Sequence, residues 1–160
     1  MTENTNKSAL LGRRDVLRAA ATGVLAIAGS GLFSRHVLAT PETAARALSK
    51  LTGGVTAQEG KVFLKLPEIA DDGNTVPITI SIDSPMTEAD YVKAVHVVAE
   101  GNPRPGVVTF NLSPSVGKAV ISTRMRLHKT QNVAAAAVMS DGSVYFTKKM
   151  VKVTIGGCGG

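Results

Sequence analysis

Val76-Pro77-Ile78-Thr79-Ile80-Ser81-Ile82 places Ile78, Ile80 and Ile82 on one side of an extended chain and Thr79 and Ser81 on the other. Period two is the signature of a half-buried strand. Pro77 donates no ladder hydrogen bond, so it belongs at a strand start or edge. The same reading extends outward. Upstream, Val62 to Leu66 is a short strand ended by Pro67. Downstream, Tyr91 to Glu100 leads into the turn Asn102-Pro103-Arg104-Pro105-Gly106, followed by strands at Val107 to Leu112, Lys118 to Leu127 and Gln131 to Met139. Asp141-Gly142 is a hairpin signal that opens a last strand, Val144 to Ile155. About seven strands at intervals of roughly 8–12 residues predict an all-β fold, an immunoglobulin-like antiparallel β-sandwich. The run Ala134 to Ala137 favours helix by propensity, yet Val133, Val138 and Met139 flank it, and a strand is expected there too.

Ahead of the strands, Thr40-Pro41-Glu42 has the form of a helix start, with a hydroxyl cap, proline at the first helical position and an acid behind it. Ala44, Leu48 and Leu51 are helically spaced, and Gly53-Gly54 ends the pattern. The expected organisation is a leader over 1–39, a short helix over 40–54, a β-sandwich over 55–155 and a glycine-rich arm over 156–160.

The leader rests on charge. Lys7, Arg13, Arg14 and Arg18 precede the 16 uncharged residues Ala19 to Ser34, and Val37-Leu38-Ala39 offers small residues for a signal peptidase. This run is too short and too diluted by glycine for a membrane span. Arg13-Arg14, followed by Asp15-Val16-Leu17-Arg18, resembles the twin-arginine export signal, with Gly12 and Val16 departing from its usual pattern. That class exports folded proteins, so the expected location is the periplasm, with a partner or cofactor acquired before export. The whole chain of 160 residues carries +6, of which residues 1–39 hold five basic and two acidic side chains. The remaining 13 basic and 10 acidic residues leave only +3, and no aromatic–basic interleaving accompanies them, which argues against nucleic-acid binding. With 44% hydrophobic and 19% charged residues the chain is not disordered, and one cysteine makes no internal disulfide.

That cysteine lies in Gly156-Gly157-Cys158-Gly159-Gly160, immediately after Val151-Lys152-Val153-Thr154-Ile155. Val151, Val153 and Ile155 are expected to face the core, and Lys152 and Thr154 the solvent. Glycine loses more conformational entropy on ordering than any other residue, so Gly156, Gly157, Gly159 and Gly160 predict a mobile arm. Extended, the arm carries Cys158 about 10 Å past the strand, thin enough to enter a narrow cleft. The nearest cation in sequence is Lys152, and an exposed thiol titrates near about 8.5, so activation is left to whatever receives the arm.

These residues carry a family resemblance. The terminal Gly-Gly-Cys-Gly-Gly, the strand before it and the twin-arginine-like leader resemble the SoxY family, the sulfur carriers of periplasmic thiosulfate oxidation. So do Val76-Pro77, Met86-Thr87, Asn102-Pro103-Arg104-Pro105 and Arg124-Met125-Arg126-Leu127. The resemblance implies a covalent carrier rather than an enzyme, with Cys158 holding thiosulfonate and persulfide intermediates. It implies a heterodimer with a SoxZ-like paralogous subunit. A haem thiosulfate-conjugating enzyme, a metal-dependent sulfate-releasing hydrolase and a molybdenum–haem sulfur dehydrogenase would be transient partners. The chain would hold no cofactor of its own.

Three other readings compete. Cys158 could be incidental in a frayed end, it could form a permanent intermolecular disulfide in a structural heterodimer, or Gly160 could become a thiocarboxylate as in ubiquitin-like sulfur carriers. The last needs cytoplasmic ATP-dependent activation, which the leader contradicts. Beyond residue 39 the metal inventory is Cys158, His96 and His128 without ligand spacing, and a lone strand histidine is most often structural. Asp71-Asp72-Gly73-Asn74 reads as a turn rather than a calcium loop. Arg124, Arg126 and His128 alternate near Lys129, a pattern that fits a solvated polar face better than a docking surface for acidic partners.

Overall fold

The computed structural model describes residues 40–156. The expected leader, with Arg13 and Arg14, lies outside the described residues, as do Gly157, Cys158, Gly159 and Gly160.

Helix α1 (Pro41–Leu51) forms where its caps dictate. Thr40 Oγ1 accepts from the Thr43 amide at 3.3 Å while Thr43 Oγ1 accepts from the Thr40 amide at 3.0 Å, a reciprocal box that satisfies otherwise orphaned donors. At the other end Gly53 (φ 68) and Gly54 (φ 77) adopt left-handed backbone that stops the helix.

Among the described residues nine strands follow: β1 (Gln58–Glu59), β2 (Val62–Lys65), β3 (Ile69–Asp72), β4 (Val76–Ile82), β5 (Val92–Ala99), β6 (Gly106–Asn111), β7 (Val120–Met125), β8 (Gln131–Met139) and β9 (Val144–Ile155). They form two sheets, one in the order β1-β9-β8-β5-β6 with β3 also on β9, the other β2-β4-β7. The β-sandwich inferred from alternation is the architecture observed. The quoted isoleucines explain why: Val76, Ile78, Ile80 and Ile82 all point into the core, facing Val95, Val97, Val133, Ala135 and Val151 of the other sheet. On the opposite side of β4, Thr79 Oγ1 meets Ser122 Oγ at 3.0 Å.

β8 shows why its alanines are a strand. It lies between β5 and β9, and Ala134 to Ala137 are all buried. Odd-numbered residues face the core, while α1 packs over the outer face on β5 and β6, where His96 and Val98 are buried. With both faces covered, alternation disappears and small side chains let the layers approach. The Asp141-Gly142 hairpin forms as expected, Gly142 taking φ 85 and Asp141 accepting from Ser143 Oγ at 2.7 Å. That hydroxyl, with the Ser143 amide, holds the Asp141 carboxyl below its ordinary value.

The structure corrects three expectations. β4, β8 and β9 have the expected bounds, but β2 and β5 are one and two residues shorter than their patterns, β6 is shifted by one, and β7 is four residues shorter. β1 and β3 were not expected, and both pair parallel to β9, so the sandwich is not wholly antiparallel. Ile155 does not face the core but is 66% exposed. Its reason is register: β8 begins at Gln131, opposite Val151, so the last four residues of β9 overhang their neighbour.

Candidate functional site

Past Val151, β9 has lost β8 and is held by other means. On one side β3 pairs Ile69 with Lys152, Ala70 with Val153 and Asp72 with Ile155. On the other, Thr130 replaces the missing strand, its Oγ1 accepting from the Val153 amide at 2.9 Å. The final β9 carbonyl, Ile155 O, accepts from Gly73 N–H at 2.7 Å, and Gly73 O in turn accepts from Leu127 N–H at 2.8 Å. Gly73 thus ties the end of β9 to the segment after β7.

That segment is itself fixed. Asn102 donates from Nδ2 to Arg126 O at 2.9 Å and accepts at Oδ1 from the His128 amide at 2.9 Å. Gln131 donates to the same Oδ1 at 2.9 Å and to Lys129 O at 3.0 Å, while its Oε1 accepts from Gly101 N–H at 2.5 Å. Gln131 is buried, so a fully used amide is what burial requires. Three segments read separately in the sequence therefore meet: Asn102 of the Asn-Pro-Arg-Pro turn, Arg126 to His128, and the end of β9. A fourth, Val76-Pro77, pairs with Met125 and Arg124 across β4 and β7.

Gly156 completes the arrangement. A Cβ built on it would collide with the His128 carbonyl oxygen. Sequence reading assigned Gly156 to arm flexibility; the structure gives it a different reason, close approach of two backbones. Asn102, Gln131 and Gly73 were missed as site residues. Their signals, a turn asparagine, a polar residue opening an apolar strand and a glycine after two acids, identify their partners only in three dimensions.

The histidines separate. His96 is buried on the outer face of β5, its Nδ1 2.9 Å from Thr109 Oγ1, and burial lowers its pKa from 6.5. His128 is half-buried beside the end of β9, and its Nδ1 is buried without a hydrogen-bond partner among the described residues. Arg124 and Arg126 are exposed as expected of a solvated face, but β7 stops at Met125, so Arg126 and His128 belong to the following segment rather than to one strand face. Asp72 Oδ1 accepts from both the amide and Nδ2 of Asn74, closing the expected turn. Among the described residues, no three His, Cys, Asp or Glu side chains gather in a way that would hold a metal.

The family model of the sulfur oxidation protein SoxY matches residues 48–158, from α1 through the sandwich and the hydrogen-bonded cluster to Cys158. The chain belongs to the SoxY family. Among solved structures it is similar to the sulfur carrier protein SoxY from Chlorobium limicola f thiosulfatophilum, with 30% identity over 71% of this chain and 98% of that one at a TM-score of 0.60. The superoxide reductase (neelaredoxin) from Ignicoccus hospitalis aligns at a TM-score of 0.53 with 17% identity, over 72% of this chain and 94% of that one. A superoxide reductase-like protein from Thermotoga maritima aligns at 0.52 with 14% identity, over 62% and 93%. At those identities the two share the fold alone. No curated protein matches the chain.

Proposed function

We propose that this SoxY-family chain is a covalent sulfur carrier of the Sox system whose attachment point is Cys158. Family membership and likeness to a solved sulfur carrier support the carrier role. The observation that carries the assignment of Cys158 is that the matched region ends on this cysteine, which is the single cysteine of the chain. An exposed Ile155 beside a Gly156 limited by clearance supports an arm that leaves from the surface.

In this reading the thiol and thiosulfate join through a new S–S bond, releasing the thiol proton and giving two electrons, one at a time, to the haem centres of a partner enzyme. Water then cleaves the bond between the sulfane and sulfonate sulfurs. The hydroxyl goes to the sulfonate, which departs as sulfate, and a proton goes to the sulfane sulfur, leaving a persulfide. This chain supplies the thiol and its presentation; the haem, metal and molybdenum centres belong to the enzymes that receive it. A SoxZ-like subunit as heterodimer partner, and twin-arginine export of the folded pair through Arg13-Arg14 to the periplasm, complete the proposal.

Intact-protein mass spectrometry of the chain from thiosulfate-grown cells tests it. Adducts on Cys158 equal to added sulfur or thiosulfonate, removed by reductant, are expected. Unmodified thiol alone, together with Cys158→Ser cells that still oxidise thiosulfate, would sink the assignment. A thiocarboxylate on Gly160 would replace it with a ubiquitin-like carrier, and a persistent disulfide to one partner with a structural subunit.

A further inference from the structure

We infer that Gly156 is the fixed base of the arm rather than its first moving link. This rests on the carrier reading for its consequence, but not for its geometry. The β9 terminus is anchored through Gly73, which donates to Ile155 O and accepts from Leu127 N–H. The segment it is anchored to does not give way, because Asn102 and Gln131 hold Arg126, His128 and Lys129 through backbone atoms. Gly156 lies so close to the His128 carbonyl that no Cβ fits, and the obstructing atom is backbone, which cannot rotate aside. Its φ lies outside the left-handed region, so glycine is required there for clearance, not for an unusual backbone angle.

Gly156 thus sets the point and direction from which the arm leaves. Counting from a fixed Gly156, Cys158 reaches about 7 Å, two extended residues, rather than the ~10 Å of an arm hinged at the strand end. A receiving enzyme must then bring its reacting centre almost onto the surface beside exposed Asp72 and half-buried His128. Gly156 is a positioning residue: it touches neither sulfur nor enzyme chemistry, and it acts through where Cys158 can go.

Nitrogen-15 relaxation on the purified native chain tests this directly. The Gly156 amide is expected to be as rigid as Val153; a Gly156 clearly more mobile than Val153 would overturn the inference. Paired variants give a second readout. Gly156→Ala is expected to lose exchange protection at the Gly73 amide, and its turnover with the sulfate-releasing enzyme to fall about tenfold or more, as misplacement of a reacting group does. Alkylation of Cys158 by iodoacetamide should stay within about twofold, since a small reagent needs no aimed arm. Gly157→Ala should retain Gly73 protection. Equal behaviour of the two variants would refute the inference. Absence of sulfur on Cys158 would end the carrier reading and leave the relaxation result standing.

Discussion

His96 shows how one residue ties the fold to pH. It is buried on the outer face of β5, with Thr109 as its polar partner, and desolvation disfavours its charged form. In the unfolded chain the imidazole titrates near 6.5. Below that pH the unfolded state binds more protons than the folded one, so His96's contribution is complete above about 6.5 and is lost as pH falls towards the lowered folded value. Thermal unfolding of the native chain is therefore expected at lower temperature at pH 5.5 than at 7.5. His96→Gln, which keeps a polar group for Thr109, should reduce that difference; an unchanged pH dependence would remove His96 as its source. The sequence favoured a structural role for this histidine, since a single imidazole in a strand without ligand spacing is most often structural. Gly156 is the opposite case: its residue type was legible, but its reason was not, because the atom that excludes a side chain belongs to His128, 28 positions away.

At the scale of elements, α1 is a locally encoded unit packed against its strands. The helix lies over β5 and β6 and helps cover the face that carries His96 and Val98, and its start depends on the Thr40–Thr43 box. Thr40→Ala should cost about 1 kcal/mol of helix stability, as loss of a hydroxyl cap does. Faster amide exchange within Pro41–Leu51, with β8 exchange unaltered, is the expected result; uniform acceleration across both would show that the helix is not a separate local unit. The helix was legible because capping chemistry is local. β1 and β3 were not, because Gln58-Glu59 and Ile69-Ala70-Asp71-Asp72 show no alternation and pair only with a strand more than 80 residues later. The Ala134–Ala137 strand was legible only from its neighbours, since burial on both faces erases the pattern by which a strand is read.

For the whole molecule, one core joins both sheets. Ile80 of β4 and Leu127 beyond β7 are both fully buried in it. Ile80→Ala and Leu127→Ala should each cost about 2–5 kcal/mol, the range for cavities left by large aliphatic residues. Calorimetry and far-ultraviolet circular dichroism should report the same single transition in each variant, as expected when one core serves both layers; separate transitions would mean that the sheets unfold independently. The sequence by itself determined the strand alternation, the helix cap, the hairpin turn and the cysteine between glycines, because each is set by residues within a few positions of one another. Only the tertiary structure decided that Asn102, Gln131 and Gly73 converge on the end of β9, that Ile155 overhangs β8, and that Gly156 sits against His128. Those facts depend on long-range register and backbone approach, which side-chain periodicity does not encode.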